Sequence, residues 1–246
     1  LAIDGGTESI RACIVDPATG THLHTPVSAP YDLLHPHPGW ATQDPKQWWE
    51  SLGSACRGAV KKASESKGYD IAADVVSLCV DTTCCSVVFM GVGGEVIGDS
   101  IIWMDQRSAP QCRIIMERAR GDPALEVNSG GAGPVSAEWF LPKCMWMKSA
   151  DPDTWKAVVT ACEYQDFVNF KLTGDLVGCS SNAAVRWHCD GDKLASGDVG
   201  GLPITLWEKC GIPELATKIP KTFVPPGGRI SNLTPAAASH LGLTES

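Results

Sequence analysis

Near the start of the chain, Asp4-Gly5-Gly6-Thr7-Glu8-Ser9-Ile10-Arg11 sets an acid at a strand end beside two glycines, hydroxyl residues and a cation on the returning strand. Each type has a use against a phosphate. Glycine lets backbone N–H groups approach phosphate oxygens, Thr7 and Ser9 can donate hydrogen bonds, Arg11 offsets negative charge, and Asp4 can hold a Mg²⁺-bound water. Taken alone, an acid-Gly-Gly-Thr turn reads first as a plain hairpin. Two further segments place polar residues at the ends of apolar runs: Cys79-Val80-Asp81-Thr82-Thr83-Cys84-Cys85-Ser86-Val87-Val88 and Ile101-Ile102-Trp103-Met104-Asp105-Gln106-Arg107. Asp105 and Arg107 also suit an exposed ion pair of little energetic weight. The chain has neither a Gly-x-Gly-x-x-Gly turn nor a P-loop, so phosphate binding needs another design.

The elements that must position these residues are legible in outline. Leu1 to Asp4 and Ser9 to Val15 read as two strands joined by a tight loop, and Thr21 to Pro30 as a third antiparallel strand. Tyr31 to Gln43 is a Pro- and His-rich extended loop. Asp44-Pro45 opens a helix in which Trp48, Leu52, Cys56 and Val60 step at helical spacing, so this helix should cover a sheet. Buried strands are expected over Asp74 to Asp81, Ser86 to Gly91 and Glu95 to Trp103, with Gly93-Gly94 as a hairpin turn. Helices are expected over Ser108 to Arg120, Ser136 to Lys148 and Tyr164 to Leu172. From Thr173 on, the text reads as short loops and Pro-rich stretches, closing on a short helix over Pro235 to Leu243.

The 246 residues carry a formal charge of −8, without the clustered Lys and Arg that nucleic-acid binding requires. A small-molecule partner is expected, with neither nucleic acid nor membrane, since no apolar run reaches spanning length. Eleven cysteines at irregular spacing include no Cys-x-x-Cys pair. That favours a reducing compartment, with Cys13, Cys79 and Cys162 acting as small hydrophobes. Structural roles are expected for the His22/His24 and His35/His37 pairs, which have no third metal ligand nearby in sequence. Trp103, Trp139, Trp146 and Trp187 read as core or cleft-wall aromatics. Asn232-Leu233-Thr234 matches a glycosylation sequon, idle in a reducing compartment.

Taken together and in this order, the acid-Gly-Thr hairpin, the polar loop after Asp81 and the Trp-x-Asp-x-Arg strand end resemble the first lobe of FGGY carbohydrate kinases. Val135 to Lys143, Glu163 to Phe167 with Lys171 to Gly174, Asn182 to His188 and Leu233 to Leu243 extend the resemblance over essentially the whole chain, closest to ribulokinase-like members. The resemblance implies an α/β, actin-like (ribonuclease-H-like) lobe, a mixed sheet with flanking helices, over residues 1–246. It implies ATP and Mg²⁺ as cofactors, with Asp4, Gly5, Gly6, Thr7 and Arg11 facing the phosphates and Asp4 reaching the metal through water. Thr83 and Cys84 occupy the loop where glycerol-type members place an Arg-Glu pair, which speaks against glycerol. Asp105, Glu138 and Arg186 are the implied contacts to sugar hydroxyls. Ribulokinases resemble this chain at Arg186 but carry Lys, so the cation is kept and its geometry changes. Glu138 also reads as a first-turn acid favouring a helix dipole after a Ser136 cap.

By the same resemblance, the catalytic base is expected just beyond Ser246 and the adenosine pocket in the lobe that follows. The expectation is therefore a cytoplasmic ATP-dependent kinase of a ketopentose or pentitol, acting on a terminal hydroxyl, with this piece inactive alone and homodimer formation left open. Two rivals stand beside it: a sugar-binding protein without turnover, and an actin-like assembly ATPase without a sugar site.

Overall fold

The computed structural model describes residues 1–129 and 134–244. Ala2–Gly5 (β1) and Ser9–Cys13 (β2) form the expected hairpin, with Asp4 opposite Arg11. Val27–Pro30 (β3) adds antiparallel to β2, a shorter strand than the Thr21 to Pro30 expectation. Thr42–Gln43 (β4) leads into the helix Pro45–Lys67 (α1), whose first turn is capped by the Asp44 carboxylate accepting the Lys46 N–H at 2.9 Å. The apolar stripe predicted for α1 is buried: Trp48, Leu52 and Cys56 are fully enclosed, packed with Ile3, Ile10 and Val80 of the sheet and with Tyr164 and Phe167.

Cys79–Thr82 (β5) runs parallel to β1, completing a mixed sheet in the order β3-β2-β1-β5. The expected strand from Asp74 is cut short because β1 offers only the positions Ala2 to Gly5 as partners, matched to Cys79 through Thr82. Cys79, expected inside, is exposed on this edge strand. Val87–Met90 (β6) and Ser100–Ile101 (β7) belong to a second, antiparallel sheet ordered β4-β7-β6-β8, where β8 is Thr160–Glu163. The long strand expected over Glu95 to Trp103 is reduced to β7 and a bridge at Val96, because Gly98 turns the chain at φ 69°.

Ala109–Arg118 (α2), Ala124–Ser129 (α3), Phe140–Ala150 (α4), Pro152–Ala157 (α5) and Tyr164–Thr173 (α6) flank the sheets. Helix α4 starts at Phe140 rather than Ser136. A helix begun at Ser136 would carry Pro142 in its interior, where the ring clashes with the carbonyl four residues back; in the first turn Pro142 is tolerated. The region after Thr173, read as loops, instead contains Val177–Cys179 (β9), Ser180–Arg186 (α7), Gly191–Ala195 (α8), Ile204–Lys209 (α9) and Thr222–Val224 (β10), with β9 and β10 paired in parallel. These elements are too short to show a period, and each is held by packing of Trp187, Leu194, Trp207 and Phe223 into a core shared with Phe89 and Phe140. The closing helix Pro235–Leu241 (α10) is capped by the Thr234 hydroxyl. Among the described residues no helix is long and apolar enough to cross a membrane.

Candidate functional site

Because β1 and β5 are parallel, the hairpin tip after Gly5 and the loop after Thr82 leave the sheet at the same end, the usual place for ligands in such sheets. Thr83 N–H donates to the Gly5 carbonyl at 2.9 Å, fastening the two loops together. At the tip, Gly6 N–H closes the turn onto the Ser9 carbonyl at 3.0 Å, so this glycine amide is occupied by the hairpin itself. The Thr7 and Glu8 amides have no partner among the described residues. A Cβ at Gly5 would lie 3.0 Å from Thr82 and Tyr164, and one at Gly6 would lie 3.2 Å from the Arg11 guanidinium. Both glycines therefore provide room for their neighbours as much as for a ligand.

Arg11 Nη1 donates to Asp4 Oδ2 at 2.9 Å, with both side chains half exposed. Register places Asp81 beside Asp4 on the parallel neighbour, and both are exposed, so two carboxylates share one face here. Sequence reasoning gave Asp81 no role, since only strand pairing makes it a neighbour of Asp4. The hairpin tip is held from three sides. Tyr31 Oη donates to the Gly6 carbonyl, Gln43 Nε2 to the Thr7 carbonyl at 2.6 Å, and Trp103 Nε1 to Thr7 Oγ1 at 3.0 Å. Trp103, read as a wall aromatic, is thus a tether between the hairpin and the segment after β7.

Asp105, expected at the sugar, is corrected by its surroundings. The residue is 0% exposed, and its carboxylate accepts the Ala41 N–H at 2.6 Å, the Arg107 N–H at 2.8 Å and Arg107 Nε and Nη2 at 2.8 to 2.9 Å. No oxygen of it is left for a sugar. The pair is also not on the surface: Arg107 lies between the Trp40 ring, 3.7 Å from its centroid, and Trp146, 4.9 Å away. Asp105 and Arg107 clamp two loops beneath the site.

Glu138 sits in a turn before α4 rather than on the helix, its N–H donating to the Ser136 hydroxyl at 3.3 Å, so the helix-dipole reading lapses. It is half-buried and close enough to Lys143 to favour that ammonium. Arg186, at the end of α7, lies 5.6 Å from the Trp139 ring centroid and beside Cys84, and its Nε is buried without a hydrogen-bond partner. Cys84, Arg186 and the Glu138–Trp139 turn are therefore brought together, and the orphaned Nε is a donor in want of an acceptor.

The loop carrying Thr83 and Cys84 is set by residues to which the sequence reading assigned no role. Lys143 is fully buried and donates to the carbonyls of Cys85 at 2.5 Å and Ile102 at 2.8 Å. Glu163, equally buried, accepts the Ser86 N–H at 3.0 Å and the Trp187 indole N–H at 3.0 Å. Burial pulls the Lys143 ammonium down and pushes the Glu163 carboxyl up, each opposed by the charge of the other. A lone Lys inside Phe140-Leu141-Pro142-Lys143-Cys144-Met145 was the available signal, because an enclosed Lys needs acceptors.

His188 packs edge-on against Trp139, with ring centroids 5.2 Å apart, and bonds the Ala124 carbonyl through Nδ1 at 3.1 Å. Burial holds its pKa down at about 4, against an ordinary 6.5. Between these values the unfolded chain binds a proton that the folded chain refuses, so stability falls as pH drops from 6.5 to about 4. His188→Phe is expected to abolish this dependence. In urea unfolding at pH 7 and pH 4, wild type should lose up to about 3 kcal/mol relative to the variant. An unchanged difference would show that His188 does not titrate in this window.

With this geometry in place, comparison with known proteins is decisive. Residues 1–245 match the FGGY family of carbohydrate kinases, N-terminal domain. The chain belongs to this family. Relatives of the FGGY chain include a Lactococcus lactis xylulose kinase, 28% identical over 78% of this chain and 36% of that protein. An Anoxybacillus flavithermus ribulokinase is 26% identical over 99% of this chain and 45% of its own length. The crystal structure of xylulose kinase from Rhodospirillum rubrum superposes with a TM-score of 0.76 at 26% identity, covering 98% of this chain and 46% of that one. That of Plasmodium falciparum glycerol kinase shares the fold, with a TM-score of 0.73 at 15% identity. The fold is thus the actin-like one of FGGY sugar kinases, and the chain spans under half the length of these proteins.

Proposed function

We propose that this FGGY lobe is the sugar-binding half of a cytoplasmic ATP-dependent kinase that phosphorylates a terminal hydroxyl of a ketopentose or pentitol. The observation that carries the reading is the 3.0 Å bond from Trp103 to Thr7, which fastens the phosphate-type hairpin to the segment bordering the Cys84–Arg186 cluster. Donor and acceptor of the phosphoryl group would then meet over one end of the sheet. Thr7, Arg11 and the free amides at the tip would hold ATP phosphates. Thr83, Cys84, Glu138 and Arg186 would orient the sugar.

Mg²⁺ fits the residues present: Asp4 and Asp81 offer oxygen ligands on one face, and this cation takes one or two carboxylates while keeping waters. Asp4 and Asp81 would hold it, and it would supply positive charge against the phosphates there. The general base is assigned to the segment just after residue 246 and the adenosine pocket to a second lobe, whose closure would exclude water as a competing acceptor.

The test is ATP consumption by the complete protein with xylulose, ribulose, pentitols and glycerol. Stimulation by a pentose or pentitol is expected, with Arg186→Ala raising KM for that sugar about 10- to 100-fold through loss of a charged hydrogen bond. Absence of stimulation by every sugar would overturn the kinase reading in favour of a binding protein or an actin-like ATPase.

A further inference from the structure

The loop after β5 contains two neighbouring cysteines in opposite environments. Cys85 is 2% exposed, whereas Cys84 is half-buried, and their sulfurs are 3.7 Å apart with the Cys85 thiol donating to Cys84. Cys85 adopts φ 63°, the left-handed region that a β-carbon disfavours. The turn is held in that shape by Lys143 on the Cys85 carbonyl and Glu163 on the Ser86 N–H. Both sulfurs are thereby kept on one side of the loop. The Cys85 hydrogen bond, then the Arg186 guanidinium, draws the Cys84 thiol down to about 6 against the opposing effect of burial, while Cys85 is pushed far up. The contact thus favours the thiolate at Cys84 and the thiol at Cys85, the division of labour of a reactive and a resolving cysteine.

We propose that Cys84 and Cys85 form a hydroperoxide-sensitive dithiol that closes to a vicinal disulfide. The Cys84 thiolate attacks one oxygen of the hydroperoxide; the S–O bond forms, the O–O bond breaks, and the leaving alkoxide or hydroxide takes a proton from water. Cys84 is then a sulfenic acid, oxidised by two electrons while the peroxide is reduced. The Cys85 sulfur attacks the Cys84 sulfur; the S–S bond forms, the S–O bond breaks, and hydroxide leaves with the Cys85 proton as water. Two thiols and one hydroperoxide give one disulfide, one alcohol or water, and one water. Adjacent Cα atoms lie ~3.8 Å apart, under the ~4.4 Å lower end for ordinary disulfides, so the bridge is strained and readily reduced. The reaction is therefore reversible by a dithiol. The inference does not depend on the kinase reading, because it rests on the loop alone.

The experiment uses native protein carrying Cys79→Ser, which leaves Cys84 and Cys85 as the only cysteines in the tryptic peptide spanning 68–107. After stoichiometric hydrogen peroxide and alkylation, that peptide is expected to lose two hydrogen masses and to resist alkylation until dithiothreitol is added. With Cys85→Ser in the same background, Cys84 should instead be trapped by dimedone as the sulfenic acid, and with Cys84→Ser neither product should form. An unoxidised peptide, or dimedone adducts at Cys84 with Cys85 still a free thiol in the Cys79→Ser protein, would overturn the proposal.

Discussion

Lys143→Met is expected to destabilise this chain by about 3 to 5 kcal/mol, the range seen when one partner of a buried charge network is removed. The substitution keeps the side-chain volume and deletes only the ammonium. Two enclosed carbonyls, Cys85 and Ile102, lose their shared donor, and Glu163 loses the nearby charge that favours its ionised form. An unsatisfied buried carbonyl alone costs on the order of 1 to 3 kcal/mol. Against a typical total of roughly 5 to 15 kcal/mol, the loss is a large fraction of the stability. Urea unfolding followed by tryptophan fluorescence reads it directly. A midpoint equal to that of wild type would show that the loop after β5 is set by its backbone alone.

Asp4→Asn in the complete protein is expected to lower kcat by about 10²-fold or more, the scale on which electrostatic groups act at a reacting phosphoryl centre. Stability should change little, since the Asp4–Arg11 pair is half exposed and such pairs contribute roughly 0 to 1 kcal/mol. KM for the sugar should also hold, because the Asp4 side chain pairs with Arg11 on the hairpin and with no residue proposed to orient the sugar. Steady-state kinetics with the sugar varied at saturating ATP·Mg²⁺, and with ATP·Mg²⁺ varied at saturating sugar, separates these effects. Undiminished kcat would remove Asp4 from the phosphate side of the site and move attention to its register partner Asp81.

Much of the scaffold was legible because local rules and tertiary demands agree there. The β1–β2 hairpin follows from Gly5-Gly6 between alternating strands, and α1 from an Asp-Pro start with apolar residues at helical spacing; both form with nearly the expected bounds. Agreement failed where elements are short. Between Val177 and Val224, helices of five to seven residues and strands of three carry no period, and their conformation comes from burying Trp187, Trp207 and Phe223 against distant residues.

The candidate site divides along the same line. Residue types and order marked Asp4, Thr7 and Arg11 for phosphates and Cys84, Glu138 and Arg186 for a sugar, through a resemblance to the family whose model matches residues 1–245. Chain order carries no information about which polar groups face inward, so Asp105 was marked with them although its carboxylate is closed off by Arg107 and Ala41. Only the tertiary structure decided that Asp81 lies beside Asp4, that Trp103 holds Thr7, and that Lys143 and Glu163 grip the loop of Cys84 from within. These contacts join residues 77 to 96 positions apart, or 58 positions in the case of Lys143. Their geometry depends on strand register and helix packing, which one-dimensional spacing does not specify.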